Sequence, residues 1–260
     1  MTILEQITNY KKLEVAAKKE AFPIAVLEQS KHFTRPCYSL ATALRSSSNG
    51  IIAEHKRRSP SKAVINETAL VPEVVQGYEK AGVAGISILT DTKFFGGSMA
   101  DLLVAQQSVS LPLLRKDFIV DPYQIVEAKA YGADAILLIA ACLTAQQLTD
   151  YAALAKQLQL EVLLEVHNSE EIKKSLHEHI DIIGVNNRNL KTFEVSIEIS
   201  KELSVLIPDS FVKISESGIN SPKAILELKP YGFEGFLIGE NFMKTARPGE
   251  SAAQFIQQLV

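Results

Sequence analysis

The sequence has few of the features that mark secreted, membrane-spanning or disulfide-stabilised proteins. Its two cysteines, Cys37 and Cys142, form neither a disulfide framework nor a CxxC motif, which is typical of a reducing compartment. The longest apolar run, residues 135–143, is far shorter than the span of about 20 residues that a helix needs to cross a bilayer. The first residues lack the charged and apolar segments of a secretory signal, so we expect a cytoplasmic protein.

A marked excess of either charge is also absent. The 260 residues include 27 Lys and Arg against 30 Asp and Glu, which gives a net charge of -3. Nucleic acids and anionic membranes are bound by basic surfaces, so we expect neither as a partner, and an anionic ligand must be held by a local site. Hydrophobic residues make up 47% of the chain and charged residues 22%, which is ordinary for a globular protein with a sizeable core.

Alternating strand and helix patterns predict the fold class. Short runs rich in Ile, Val and Leu are separated by segments long enough for helices of several turns. The predicted strands begin near Ile51, Ile86, Pro112, Ala135, Glu161, Ile182, Phe211 and Gly235. Gly82, Gly132 and Gly232 precede three of these runs, where each would cap a helix in the left-handed conformation. We therefore expect an α/β fold, a single (β/α)8 TIM barrel with an N-terminal helical extension. An open doubly wound sheet is the alternative, but the GxGxxG motif expected after its first strand is absent.

The N-terminal extension is residues 1–50, and the barrel is expected to occupy residues 51–260. The apolar residues of its first part are Leu4, Ile7, Leu13, Val15 and Ala16. Interspersed with Lys and Glu, they predict an amphipathic helix that Phe22 and Pro23 would end. Residues 45–50 have the composition of a turn-forming linker into the first strand. The residues alone leave open whether the extension plugs the bottom of the barrel or forms a lid over its active face.

Polar residues at the predicted strand ends are the candidates for catalysis, because barrel enzymes place their active site at the C-terminal ends of the strands. These candidates are Glu54, Lys56, Lys116, Glu165 and Asn186. Side chains alternate along a strand, so Glu54 and Lys56 are expected to point into the barrel and His55 away from it. Neighbouring ammonium and carboxylate groups suit general acid-base catalysis.

Small, glycine-bearing loops predict a phosphate site. Barrels commonly bind phosphate at the loops after strands seven and eight, through backbone N–H groups. The corresponding segments here are residues 215–219 (SESGI) and 238–241 (IGEN), with residues 59–61 (SPS) after strand one to complete the cradle. Phe94, Phe95 and Phe118, on the loops after strands two and three, are candidates to line an apolar pocket.

Five segments of the chain resemble indole-3-glycerol phosphate synthase. They are residues 53–62 (AEHKRRSPSK), 89–98 (LTDTKFFGGS), 114–124 (LRKDFIVDPYQ), 184–190 (GVNNRNL) and 215–219 (SESGI). They occur in order along almost the whole chain, and the longest are not generic barrel sequence. The resemblance implies a carboxy-lyase of tryptophan biosynthesis without cofactor or metal. Its reaction cyclises 1-(2-carboxyphenylamino)-1-deoxyribulose 5-phosphate to indole-3-glycerol phosphate, with loss of carbon dioxide and water.

The resemblance also implies roles for individual residues. Lys116 would protonate the ribulose carbonyl as the aromatic ring carbon attacks it, and Glu165 would be the base that aromatises and dehydrates the ring. Lys56, held by Glu54, would be a second acid near the substrate carboxylate and the departing hydroxyl. Asn186 and Arg188 would orient polar groups of the substrate. Ser59, Ser217, Gly218, Gly239 and Glu240 fall at phosphate-binding positions, and Phe94, Phe118 and Leu190 would sandwich the aromatic ring.

For the extension, the resemblance implies a lid over the active site. It implies a monomer acting on a phosphorylated small molecule, and it leaves association with other tryptophan-pathway enzymes open. Two positions depart from the family pattern: Ala63 stands where glycine is usual, and His55 stands where an apolar residue is usual. Ala63 would stiffen the loop after strand one, because alanine disfavours positive φ values.

Three other functions remain as alternatives. Phosphoribosylanthranilate isomerase would use a Cys and Asp pair rather than Lys and Glu, so Glu54 and Lys56 disfavour it. A Schiff-base aldolase would use Lys56 or Lys116 as its nucleophile. A catalytically silent phosphosugar-binding barrel would be expected to have lost a catalytic residue, and every expected one is present.

Overall fold

The computed structural model describes residues 1–189 and 192–259. Within these residues, eight parallel strands close into one barrel in chain order, and the last strand pairs with the first. The strands are β1 Ile51–His55, β2 Gly85–Leu89, β3 Leu113–Lys116, β4 Ala135–Ile139, β5 Glu161–Val166, β6 Ile182–Asn186, β7 Val212–Glu216 and β8 Phe233–Ile238. The (β/α)8 barrel expected from the sequence is confirmed.

Helices surround the barrel and precede it. Those of the N-terminal extension are α1 Ile3–Ala21, α2 Ile24–Leu27 and α3 Leu40–Ser46. Those that follow the strands are α4 Val71–Ala81, α5 Met99–Ser108, α6 Tyr123–Ala130, α7 Ala145–Gln157, α8 Ser169–Ser175, α9 Glu198–Ser204, α10 Pro222–Leu228, α11 Glu240–Met243 and α12 Pro248–Gln257. Across residues 1–189 and 192–259, no helix is both long and apolar enough to cross a membrane.

The alternation of side chains along each strand divides the core into two layers. In β1, Ile51 and Ala53 belong to the large cluster of buried residues that includes the surrounding helices, whereas Ile52 belongs to a second cluster inside the barrel. Ile136 and Leu137 of β4 divide in the same way. Because Glu54 has the same parity as Ile52, its carboxylate faces the barrel interior.

Glycines end the helices where the sequence predicts them. Gly82, Gly132 and Gly232 have φ values of 80°, 84° and 83°, in the left-handed region that β-carbons disfavour. The predicted start of the last strand near Gly235 is two residues late, because Gly235 lies inside β8. A β-carbon there would lie 2.4 Å from Ile214 Cγ2, so this glycine lets β7 and β8 approach.

Helix α1 confirms the predicted helix and corrects its buried face. It begins at a capping box formed by Thr2 and Glu5 and ends before Phe22. Leu13, which we expected on the apolar face, is 72% exposed, whereas Lys11 is 1% exposed. The two residues differ by about 200° around the helix, so both cannot face the barrel. Ion pairs with Asp91 and Asp117 allow Lys11 to lie on the buried face of the helix.

Helix α3 closes the bottom of the barrel. Leu40 and Leu44 are buried among residues of the interior cluster. Glu161, the first residue of β5, accepts hydrogen bonds from Ser39 Oγ and from the backbone N–H of Ala41 at 2.9 Å. Residues 45 and 46 belong to this helix, so the predicted linker is shorter than expected. The extension therefore includes a plug at the N-terminal ends of the strands.

We expect Leu40→Ala to lower the free energy of unfolding by about 2–5 kcal/mol, because it empties a site that is fully buried. Chemical denaturation of the purified proteins measures this change. Leu13→Ala is the matched control, since Leu13 is 72% exposed, and it should change the free energy by less than about 0.5 kcal/mol. Equal effects of the two substitutions would contradict the assignment of α3 as a plug.

Candidate active site

A cavity of about 420 Å³ opens at the C-terminal ends of the strands. The residues predicted from the sequence that line it are Glu54, Lys56, Ser59, Lys116, Phe118, Glu165, Asn186, Arg188, Ser217, Gly218, Gly239 and Glu240. The cavity is therefore bounded by charged residues from the strand ends and by the small residues of three loops. Leu190, also predicted here, lies outside the described residues.

Ion pairs join the charged residues at the base of the cavity into a chain. Lys56 Nζ lies 2.9 Å from Glu54 Oε1, and Lys116 Nζ lies 3.4 Å from Glu54 Oε2. On its other side, Lys116 Nζ lies 3.0 Å from Glu216 Oε2. Lys116 is thus held between carboxylates from β1 and β7, while its side chain is only 14% exposed.

The protonation states of Lys116 and Glu54 follow from their burial and from the charges near them. Burial would lower the pKa of Lys116, but the carboxylates of Glu216, Glu54 and Glu165 outweigh it and raise the pKa above its ordinary value. Burial would raise the pKa of Glu54, but Lys56 and Lys116 outweigh it and lower the pKa to about 2. Lys116 is therefore a cation and Glu54 an anion throughout the physiological range.

Glu216 is a buried carboxyl group with a raised pKa. Burial, together with the negative charges of Glu165 and Glu54, raises its pKa to about 7, although the ammonium of Lys116 opposes the rise. From its sequence pattern, this residue is expected only within a phosphate loop. Its position at the end of a strand, after Ile214 and Ser215, is the same pattern that identified Glu54 and Lys116.

Two glycines make room for these carboxylates. A β-carbon on Gly184 of β6 would lie 2.4 Å from Glu216 Oε1. A β-carbon on Gly239, after β8, would lie 2.6 Å from Glu54 Oε1. The carboxylates therefore occupy space that any other residue at these positions would fill.

A second group of polar residues lies at the ends of β5 and β6. His167 Nε2 lies 3.4 Å from Glu165 Oε1, and Glu171 lies on the other side of the imidazole, 3.2 Å from Nδ1. Burial would lower the pKa of His167, but the hydrogen bond that its imidazole donates to Glu171 and the charge of Glu165 raise it. On β6, Asn186 Oδ1 accepts a hydrogen bond of 3.0 Å from the backbone N–H of Arg188.

The aromatic wall of the cavity contains Phe95 rather than Phe94. Phe95 and Phe118 line the cavity with their ring centroids 5.8 Å apart, so they form one continuous surface. Phe94, which the resemblance also assigned to the aromatic ring, is not among the residues that bound the cavity. Its ring instead packs edge-on against Tyr10 of α1, at 6.0 Å. The turn after β2 is not extended, so neighbouring side chains there do not follow strand alternation.

Three loops form the opposite side of the cavity. Ser217 and Gly218 have φ values of 65° and 77°, and a left-handed serine is a strained residue of the kind that clusters at functional sites. Asn187, which is fully buried, donates a hydrogen bond of 3.0 Å to the carbonyl of Ser217 and fixes this turn. Lys62 Nζ, in the loop after β1, lies 2.9 Å from Glu240 Oε1 at the start of α11.

Helix α1 covers the cavity. Its residues Ile3, Leu4 and Ile7 line the apolar side. The extension thus contains both structures that the residues alone left open, a lid in α1 and a plug in α3. Within the described part of the chain, no group of three or more His, Cys, Asp or Glu side chains is arranged to hold a metal ion.

Comparisons with known proteins show the family. The family model described as indole-3-glycerol phosphate synthase matches residues 4–259. The chain belongs to the indole-3-glycerol phosphate synthase family. A protein of that name from Bacteroides thetaiotaomicron is 47% identical over 257 residues, covering 99% of this chain and 98% of that protein. Another, from Acinetobacter baumannii, is 42% identical over 251 residues, covering 96% of this chain and 94% of that protein.

Two solved structures share the fold at low identity. One, described as "Native KDPGal structure", has a TM-score of 0.57 and 14% identity, covering 80% of this chain and 91% of that chain. The other, of the tryptophan synthase a2b2 complex from Pyrococcus furiosus, also has a TM-score of 0.57, with 11% identity and coverage of 81% and 97%. At such identities the likeness concerns the fold alone. The resemblance to indole-3-glycerol phosphate synthase that the motifs carried is confirmed by the family model and the relatives.

The raised pKa of Glu216 gives a pH dependence of stability. The folded protein binds this proton more tightly than the unfolded chain, in which the pKa is about 4.5. The resulting stabilisation is complete below pH about 4.5 and is lost as the pH rises through about 7. We therefore expect the free energy of unfolding of the wild type to fall across this range relative to Glu216→Gln, which cannot ionise. Parallel pH profiles of the two proteins would contradict this titration.

Proposed function

We propose that the protein cyclises 1-(2-carboxyphenylamino)-1-deoxyribulose 5-phosphate to indole-3-glycerol phosphate, with loss of carbon dioxide and water. The observation that carries the proposal is the position of Lys116. Its ammonium lies at the base of the cavity, 3.0 Å from Glu216 and 3.4 Å from Glu54, between an apolar wall and three small-residue loops. This arrangement suits a substrate with an aromatic ring at one end, a phosphate at the other and a carbonyl between them.

The phosphate would be held by the loops after β1, β7 and β8. The residues of these loops that we assign to phosphate binding are Ser59, Ser217, Gly218, Gly239 and Glu240. The strained turn at Ser217 and the start of α11 present backbone groups at this edge, where anions are commonly bound. Lys62 offsets the charge of Glu240, which would otherwise repel a phosphate.

The aromatic ring would lie against Phe118 on the opposite side of the cavity. Phe95 extends this surface, and Ile7 of the lid also lines the cavity. Asn186 and Arg188, at the end of β6, would orient the polar groups between ring and phosphate. Bringing the ring carbon and the carbonyl together in one closed site removes much of the entropic barrier to ring closure.

In the first step, the ring carbon that carries the carboxylate attacks the carbonyl carbon, and a carbon–carbon bond forms. Lys116 gives its proton to the carbonyl oxygen as negative charge develops there. The ion pairs with Glu54 and Glu216 keep Lys116 protonated until this stronger base appears. The bond to the carboxylate then breaks, carbon dioxide leaves, and the electron pair returns to the ring.

In the last step, water is lost and the indole forms. Glu165 takes the proton that the new ring must release, and Lys56 donates a proton to the departing hydroxyl group. Both side chains line the cavity, from β5 and from the loop after β1. Glu54, 2.9 Å from Lys56, positions this second acid.

The proposal also covers the oligomeric state and the cellular compartment of the protein. We also propose that the protein acts as a monomer. The thiols of Cys37 and Cys142 are free, as is usual in the cytoplasm, where we propose that the protein acts. Association with other enzymes of tryptophan biosynthesis stays a prediction.

Turnover of the carboxyphenylamino-deoxyribulose phosphate by the purified protein, with a metal chelator present, tests the function. The chain contains no tryptophan, so indole fluorescence reports the product without interference from tryptophan side chains. We expect Lys116→Met to lower kcat by about 100- to 10,000-fold, the usual contribution of a general acid. Lys80→Met, an exposed position at the end of α4, is the matched control and should keep the wild-type rate.

Two outcomes would contradict the proposal. Binding of the substrate without turnover by the wild type would favour the catalytically silent phosphosugar-binding barrel. Turnover that Lys116→Met leaves unchanged would remove Lys116 as the acid.

A further inference from the structure

A buried lysine of the lid helix lies beside the active site but does not line it. Lys11 of α1 is 1% exposed and is not among the residues that bound the cavity. Its Nζ lies 3.0 Å from Asp91 Oδ2, two residues after β2, and 3.1 Å from Asp117 Oδ1, directly after β3. Glu14, one turn later on α1, lies 3.0 Å from the same ammonium. One cation therefore joins the lid to two strand ends of the barrel.

Each of the two aspartates also holds a loop that carries a cavity phenylalanine. Asp91 Oδ1 accepts hydrogen bonds from the backbone N–H groups of Phe94 at 2.7 Å and Phe95 at 3.1 Å. Asp117 Oδ1 accepts a hydrogen bond of 2.8 Å from the backbone N–H of Phe118. The position of each phenylalanine backbone thus depends on the position of an aspartate that Lys11 contacts.

The aspartates need this cation. Asp91 and Asp117 are 0% and 2% exposed, and an unpaired carboxylate is costly to bury. Asp117 has further partners, since Thr90 Oγ1 donates to it at 2.7 Å and Arg115 lies 3.0 Å away. Asp91 depends more on Lys11, because its Oδ2 faces that ammonium and its Oδ1 is occupied by the loop.

We propose that Lys11 is a positioning residue that couples docking of the lid helix to completion of the aromatic wall formed by Phe95 and Phe118. When α1 lies on the barrel, its ammonium draws Asp91 and Asp117 together, and their loops set the two rings 5.8 Å apart. The pocket for the aromatic end of the substrate is complete only in this arrangement. This inference rests on the proposed function, because it concerns recognition of that substrate.

The proposal predicts a particular kinetic pattern. The aromatic wall contacts a ring that is present both in the bound substrate and in the transition state, so its loss weakens binding uniformly and raises KM. Lys116, in contrast, is held by Glu54 and Glu216, which Lys11 does not contact. The chemical step should therefore be nearly unaffected.

The test compares Lys11→Met with Lys12→Met, an exposed neighbour on the same helix that loses the same charge. We expect Lys11→Met to raise KM about tenfold while kcat changes less than about threefold, and Lys12→Met to match the wild type. The dissociation constant for indole-3-glycerol phosphate, measured from the ligand's indole fluorescence, should rise with KM. An unchanged KM and dissociation constant in Lys11→Met would overturn the inference.

A second variant decides the matter if Lys11→Met does not fold. Asp91→Asn keeps the oxygen that accepts from Phe94 and Phe95 but loses the ion pair with Lys11. It should also raise KM, by less than Lys11→Met does, with kcat preserved. A fall in kcat at unchanged KM would contradict the inference, whereas absence of turnover in the wild type would contradict the proposed function instead.

Discussion

Charged groups of both signs lie together at the base of the cavity, and a charge of either sign would be costly to bury there without the other. Lys116 stays charged because Glu54 and Glu216 flank it, and Glu54 stays ionised because two lysines face it. The fold serves this arrangement. Gly184 and Gly239 leave the space that the carboxylates fill, and α1 limits the access of water that would weaken every one of these interactions. The chemistry proposed for the site depends on that balance.

Much of the architecture could be predicted because local sequence patterns determine the strands and the ends of the helices. Apolar runs of strand length recur around the barrel, and left-handed glycines such as Gly82 and Gly132 end the preceding helices. The buried face of α1 could not be predicted in this way. A lysine is expected at the surface unless its charged partners are known. The partners of Lys11, Asp91 and Asp117, lie far along the chain from it. Only the closed barrel brings these strand ends to the helix.

The site was predictable to the extent that strand alternation governs it. Glu54, Lys116 and Glu165 end or nearly end their strands, so their convergence follows from the barrel and their parity. Strand alternation does not predict which of Phe94 and Phe95 lines the cavity. Both lie in a turn whose geometry is set by hydrogen bonds to Asp91. Glu216 was overlooked for another reason. Its segment has the pattern of a phosphate loop, so the sequence did not single out Glu216 as a charged residue at a strand end.

The N-terminal extension closes the barrel at both ends, and this has a consequence for synthesis on the ribosome. The long-range contacts of residues 1–50 are with segments that are translated much later. Lys11 needs Asp117, Ser39 needs Glu161, and Arg45 donates to the carbonyl of Ser210. Closing such distant contacts is slow, because the loop entropy must be lost before the contacts form. Residues 1–50 therefore cannot complete these contacts until most of the barrel has been made, and their apolar faces stay uncovered during that time.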